Sequence, residues 1–201
     1  MIIQIRGTSG SGKSHLVRAI MNTSGKYGDP VPHYTANRRR PLYYLLPRFA
    51  RGVAPTPKLA VMGHYEAPCG GCDTIPKMDT VFDNVLRLHY RGWDVLYEGL
   101  LISAEVKRTL ALEEATRTLR ERKTSLLVVA LTTPLEQCLE GINTRRRIRM
   151  GEKFTPVNPR TTEAKYRGVQ NSMRRLQEAG VQAVWHERER AYAAVLEALN
   201  R

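Results

Sequence analysis

Eight residues near the start of the chain, Gly7-Thr8-Ser9-Gly10-Ser11-Gly12-Lys13-Ser14, fit the pattern G-x-x-x-x-G-K-[ST]. An apolar run, Ile2 to Ile5, leads straight into the glycines, and a helical pattern from His15 to Met21 leaves them. With the chain's own residue frequencies, such a match arises by chance about 0.005 times, so coincidence is a poor explanation. The chemistry accounts for each residue type. Glycines adopt positive φ and let backbone N–H groups close around a polyphosphate. Lys13 then reaches the β and γ phosphates, Ser14 is a Mg²⁺ ligand, and the helix N-terminus adds its partial positive charge. Gly7, Thr8, Ser9, Gly10, Ser11, Gly12, Lys13 and Ser14 therefore form the expected site for a nucleoside triphosphate.

The rest of the chain fits a fold that presents such a loop. Short apolar runs at 2–6, 59–65, 93–98, 126–131 and 181–185 have the character of strands buried on both faces. Helical patterns lie between them at 13–22, 79–90, 104–122, 134–149, 161–179 and 187–199. Strand and helix alternating over all 201 residues predict one three-layer α/β domain with a parallel sheet. No apolar run approaches the roughly 18 residues of a membrane span, and the N-terminus opens on a strand rather than a signal peptide, so a soluble, cytoplasmic protein is expected.

One stretch breaks the alternation. From Pro30 to Tyr65 there is no acidic residue, while Arg38, Arg39, Arg40, Arg48, Arg51 and Lys58 supply charge and Tyr34, Tyr43, Tyr44, Phe49 and Tyr65 supply rings. Six prolines between 30 and 57 argue against a long helix, and the segment reads as an insertion at about 30–58. Its arginines suit a sugar-phosphate backbone, and Tyr43 and Tyr44 suit base stacking. Tyr43-Tyr44-Leu45-Leu46 reads equally well as a core strand. The formal charge of +13 comes from 24 Arg and only 8 Lys against 19 acids, a bias toward the side chain that grips phosphate with a two-pronged fork.

The acidic residues bear on what is done with the triphosphate. The run Trp93 to Gly99 ends in Glu98, where a strand beside the phosphate loop presents a carboxylate to the Mg²⁺ water shell; Asp94 stands at the wrong end. The segment Gly63 to Thr74 follows a strand and lies at the ligand-binding rim of an open α/β sheet. Within it Asp73 is the first candidate for the base that takes a proton from an acceptor hydroxyl, and Glu66 the competing one. Cys69-x-x-Cys72 with His64 invites a zinc reading, but one such pair lacks ligands unless His33 or His89 joins, and two packed thiols are the simpler reading. Cys138 reads as core. Finally, Thr144-Arg145-Arg146-Arg147-Ile148-Arg149 ends a helix before a loop that suits a lid at about 140–160. Arg145 and Arg149, one turn apart, are the expected catalytic cations, with Arg146 on the nucleotide.

Taken together, GTSGSGKS after the first strand, a loop with GHYE and CGGCDT after the second, YEG after the third and an arginine-rich segment after the fourth resemble the P-loop kinases of the nucleotide and polynucleotide kinase type. More narrowly they resemble the bacteriophage 5-hydroxymethyluracil DNA kinases. The resemblance implies a P-loop NTPase fold with a five-stranded parallel sheet in the order 2-3-1-4-5. It also implies ATP with Mg²⁺ and transfer of the γ-phosphate to a hydroxymethyl group of a pyrimidine in phage DNA. DNA is then the partner of Arg38, Arg39, Arg40, Tyr43, Tyr44, Arg48 and Arg51. Glu98-Gly99 stands where ordinary nucleoside kinases often have an Asp-Arg pair. A small-metabolite kinase and an NTP-dependent nucleic-acid-binding module are the alternatives. In all three readings Lys13→Ala removes the ammonium on the phosphates, and labelled-ATP assays of this variant are expected to show no transfer; full activity would refute the kinase readings.

Overall fold

The computed structural model describes residues 1–26, 28–36, 38–47, 57–67, 70–118 and 126–200. Five parallel strands, β4 (Pro57–Met62), β5 (Asp94–Glu98), β1 (Ile2–Arg6), β6 (Leu126–Leu131) and β7 (Ala183–His186), lie side by side in that order. Two further strands, β2 (Val31–His33) and β3 (Tyr43–Pro47), extend the β4 edge in antiparallel fashion. The sheet thus has seven strands and mixed pairing, not the five parallel ones expected. The extra pair arises from the proline-rich, acid-free segment, whose β-branched and aromatic residues complete an edge that five strands would leave open.

Two apolar layers hold the sheet. On one face, side chains of α2 (Met78–Tyr90), α3 (Leu100–Ala104), α4 (Lys107–Thr118) and α6 (Pro159–Glu178) pack with Ile2, Val95, Tyr97, Val128 and Tyr43. On the other, α1 (Lys13–Gly25) and α7 (Arg188–Leu199) pack with Ile3, Ile5, Leu96, Val129 and Tyr44. Every residue of β1, β5 and β6 is buried, which is why these strands lack polar alternation. α5 (Leu135–Met150) runs beside α6, and a 3-10 turn, Gly151–Lys153, joins the two. Among the described residues no helix is long and apolar enough to cross a membrane.

Two expectations change here. Tyr43 and Tyr44, with 4 % and 5 % of their surface exposed, project into opposite core layers. The strand period of two sends neighbouring rings to opposite faces, so the core-strand reading of this segment holds and neither ring stands free to stack on a base. The helix expected over 104–122 is instead split: α3 begins at Leu100, Glu105 is extended, and α4 starts at Lys107; 119–122 lie outside the described residues. The break turns the Ser103 and Glu105 carbonyls toward the guanidinium of Arg6, which donates to both in place of the helix's own N–H groups.

Because Leu46 is completely buried in β3, the added strands share the main core. Leu46→Ala is expected to lower the unfolding free energy by about 2–5 kcal/mol in urea titrations. A loss under about 0.5 kcal/mol would show that these strands contribute nothing to the global fold.

Candidate active site

The loop between β1 and α1 has the backbone its glycines were expected to permit. Gly10 and Gly12 take φ of 83° and 94°, values that L side chains rarely adopt. A Cβ on Gly10 would also overlap the Cys138 carbonyl of α5, so the loop sits directly on that helix. Thr133 Oγ1 donates to the Ser11 carbonyl at 2.9 Å, fixing the loop from the β6 side.

Lys13 is buried and its Nζ donates to the Gly7 and Thr8 carbonyls at 2.8 and 3.0 Å. Burial lowers its pKa, and the nearby Glu98 and Asp73 carboxylates oppose that shift. Glu98 ends β5 opposite Ile5 of β1, almost fully buried. Its Oε1 accepts from Ser14 Oγ at 2.7 Å. Burial raises its pKa, while Lys13 and the Ser14 hydrogen bond pull the other way. Loop lysine, first-turn serine and strand-end carboxylate, expected from two separate segments, thus meet at one point. The buried Thr8 Oγ1 and Ser11 Oγ have no hydrogen-bond partner among the described residues. Unpaired hydroxyls in a positive-φ glycine cradle fit the oxygens of a triphosphate, and a hydroxyl beside one carboxylate fits Mg²⁺, which keeps most of its ligands as water and phosphate.

The segment after β4 folds over Glu98. His64 and Gly71 pair through their backbones, with Gly71 N donating to His64 O at 2.7 Å. Gly71, at φ 74°, lies so close to Glu98 that a Cβ there would overlap Oε1. Asp73 follows in a 3-10 turn, Cys72–Thr74, and both its carboxylate oxygens accept from the Leu100 N–H, at 2.8 and 2.9 Å, at the start of α3. It remains solvent-exposed and within electrostatic reach of Lys13 and Glu98. Glu66 is engaged elsewhere. Its Oε1 accepts from the Tyr44 hydroxyl at 3.0 Å, and its Oε2 lies 3.2 Å from His64 Nε2. Burial and then the bond to Glu66 push the Tyr44 pKa up to about 12.

The arginines divide. Arg145 Nε donates to Gly141 O at 3.2 Å and the side chain is close enough to lower the Lys13 pKa. Arg146 donates to Thr155 Oγ1 at 3.1 Å, Arg147 stacks on Phe154 with 4.9 Å to the ring centre, and Arg149 is exposed in the last turn. Arg38 Nη2 reaches the Thr74 carbonyl at 3.3 Å, which brings the Arg38-Arg39-Arg40 triplet to the Asp73 turn. Arg48, Arg51 and Cys69 lie outside the described residues. Cys72 is a buried free thiol, as is Cys138, and among the described residues no group of three or more His, Cys, Asp or Glu is placed to hold a metal.

Three cations escape the sequence reading. Arg18, one turn beyond Ser14, donates from Nε to the Tyr65 carbonyl at 2.9 Å and from Nη2 to the Ala67 carbonyl, so α1 grips the segment after β4. The i, i+4 spacing from Ser14 is the signal that was available. Arg188, at the start of α7, brings its Cδ close to where a Cβ on Gly12 would stand, a contact between two helices on one face that spacing does not reveal. Arg6 closes a strand whose one other polar residue is Gln4, and a charge at that place was the signal available.

This fold and site define a P-loop phosphotransferase, and comparison with known proteins narrows the class. The chain is 42 % identical over 199 residues to a 5-hmdU DNA kinase of Pseudomonas phage PaMx11, covering 99 % of this chain and 97 % of that one. It is 25 % identical over 187 residues to a 5-hmdU DNA kinase of Bacillus phage SP10, covering 93 % of this chain but 26 % of the relative. The chain belongs to the family of the phage 5-hmdU DNA kinases. A gluconokinase from Sinorhizobium meliloti 1021 superposes with a TM-score of 0.45 at 15 % identity, over 98 % of this chain and 90 % of that one. No family model matches the chain.

Gly71→Ala tests the packing of the segment against Glu98. The added methyl must displace the carboxylate, so kcat is expected to fall at least about tenfold while ATP affinity stays within about threefold; an unchanged kcat would show that Glu98 tolerates the shift.

Proposed function

We propose that this kinase transfers the ATP γ-phosphate to the hydroxymethyl oxygen of 5-hydroxymethyluracil in DNA. The observation that carries the DNA acceptor is the contact of Arg38 with Thr74, one residue from Asp73, with the exposed Arg39 and Arg40 beside it. A metabolite acceptor has no use for a row of arginines outside the triphosphate site, whereas a sugar-phosphate backbone does. The names of the relatives point the same way.

In this reading Thr8, Ser11, the loop amides and Lys13 hold the triphosphate, and Ser14 and Glu98 are the residues that would hold Mg²⁺. The metal supplies neutralisation of the β and γ oxygens. Asp73 is the base. It reaches Lys13 and Glu98 electrostatically and is solvent-accessible, whereas Glu66 is tied to Tyr44 and His64. The acceptor oxygen attacks the γ-phosphorus, its proton passes to the Asp73 carboxylate, the bond to the β-phosphate oxygen breaks, and ADP leaves. Arg145 stabilises charge on the transferred group, and Arg146 and Arg149 close with it when 140–160 acts as a lid. The target base must leave the duplex stack to reach this point.

Labelled ATP offered with free nucleosides, unmodified DNA and hydroxymethyluracil-containing DNA tests the acceptor. Label is expected on the modified DNA alone, and label confined to a small molecule would refute the proposal. Serine in place of Arg38, Arg39 and Arg40 together is expected to weaken binding of that DNA and to reduce the slope of log affinity against log salt by about 2 to 3, with ATP affinity unchanged.

A further inference from the structure

Arg6 takes no part in the chemistry above, yet it is a charged group with none of its surface exposed, placed one residue before the phosphate loop. Its five described hydrogen bonds all end on neutral acceptors. Nε donates to Gln4 Oε1 at 2.7 Å. Nη1 donates to the Ser103 carbonyl at 3.2 Å and to Ser172 Oγ at 2.9 Å. Nη2 donates to the Glu105 carbonyl at 2.6 Å and to Thr109 Oγ1 at 2.8 Å. These acceptors belong to β1, α3, the α3–α4 break, α4 and α6. One guanidinium therefore joins three segments far apart in sequence, around residues 4, 103–109 and 172, with no carboxylate among those bonds to offset its charge.

The same atoms lead into the site. Ser103 Oγ accepts from the Gly7 N–H at 3.2 Å and donates to the Gly99 carbonyl at 2.6 Å. Gly99 stands between Glu98 and Leu100, and the Leu100 N–H is the group that Asp73 holds. At its other end, Ser172 Oγ donates back to the Ser103 carbonyl at 2.8 Å. α6, which carries Ser172, is the helix reached directly from the arginine-rich end of α5 through the turn at 151–153. α3 is only five residues long and is held at its start by Asp73 and at its end by Arg6, so its placement sets where Asp73 stands relative to the phosphate loop.

We propose that Arg6 is a positioning residue for phosphoryl transfer: acting through Ser103 and Ser172, it fixes α3 and α6 against the phosphate loop and thereby sets the register between the triphosphate, Glu98 and Asp73. Arg6 is not half of an ion pair that apolar side chains can replace as a unit, since removing it takes the donor from the Ser103 and Glu105 carbonyls. A fork that ends on backbone carbonyls and hydroxyls of separate helices instead fixes their relative placement, and a misplacement of about 1 Å at a reacting centre costs on the order of a hundredfold in rate. The inference rests on Asp73 and Glu98 acting as described under the proposed function.

The test compares wild type, Arg6→Lys, which keeps charge but cannot span the helices, and Ser172→Ala, which removes only the α6 arm. Thermal unfolding, equilibrium affinity for a non-hydrolysable ATP analogue and the single-turnover rate on hydroxymethyluracil DNA are measured for each. Both variants are expected to bind the analogue within about threefold of wild type, while the rate constant falls at least about tenfold for Arg6→Lys and about threefold for Ser172→Ala. Should Arg6→Lys fail to fold, Ser172→Ala decides. Rate constants within about twofold of wild type in the folded variants, or a loss of analogue affinity matching the loss of rate, would overturn the proposal. If wild type ignores the DNA, the acceptor reading fails by itself, and the same comparison is made on the slow transfer of the γ-phosphate to water.

Discussion

The buried carboxylate of Glu98 is the constraint around which the rest of the site is built. A strand-end acid with almost no exposed surface is costly unless cations and donors lie against it. Lys13 supplies opposing charge and Ser14 a hydrogen bond, so the loop and the first turn of α1 are drawn to the end of β5. The approach from the other side leaves no room for a side chain, hence Gly71. Lys13, for its part, is buried on its own loop carbonyls, and Glu98 and Asp73 offset part of what burial takes away. Each ion offsets part of the other's cost of burial, which ties the glycine loop, the strand end and the segment after β4 together.

What the sequence disclosed follows the range of the interactions. The phosphate loop is local: its glycines, lysine and serine are fixed by the turn they must make. Glu98 was legible because a parallel strand delivers its last side chain to a predictable rim. The relative order of the five parallel strands, implied by the family resemblance, holds as well. β2 was not legible, and β3 only as one of two readings, because a basic, proline-broken segment looks like a surface insertion until its alternating residues find an open sheet edge. Tyr43 and Tyr44 illustrate the ambiguity: the same two rings read as stacking platforms or as strand residues, and burial by both helix layers decides for the second. The break at Glu105 is equally invisible locally, since its cause is a guanidinium about a hundred residues upstream.

Charge is divided in space in a way that composition alone cannot express. Lys13 and Arg145 lie within electrostatic reach of each other at the glycine loop, Arg38 meets the Asp73 turn, and Arg18 grips the chain between them. Arg6 differs from all of these, being sealed from solvent and brought down to about 10 in pKa by burial while remaining a cation at neutral pH. A net charge of +13 therefore overstates what any one ligand meets. The exposed arginines act on a polyanion through solvent and are screened by salt, whereas the buried ones act over short distances where screening is weak.

That division bears on how two carboxylates so close in sequence come to differ. Glu66 and Asp73 flank the same pair of glycines, and either side chain could reach an acceptor hydroxyl. Tyr44 and His64 hold Glu66 on the side of the added strands, and a carboxylate committed to two side-chain partners must break one of them to take a proton. Asp73 is held by a single backbone N–H that both its oxygens share, so each keeps lone pairs toward solvent while the side chain stays in place. A base needs both a fixed position and a free lone pair. Asp73 has both because a five-residue helix offers it a start to hold, and that helix stays where it is because Arg6 holds its end.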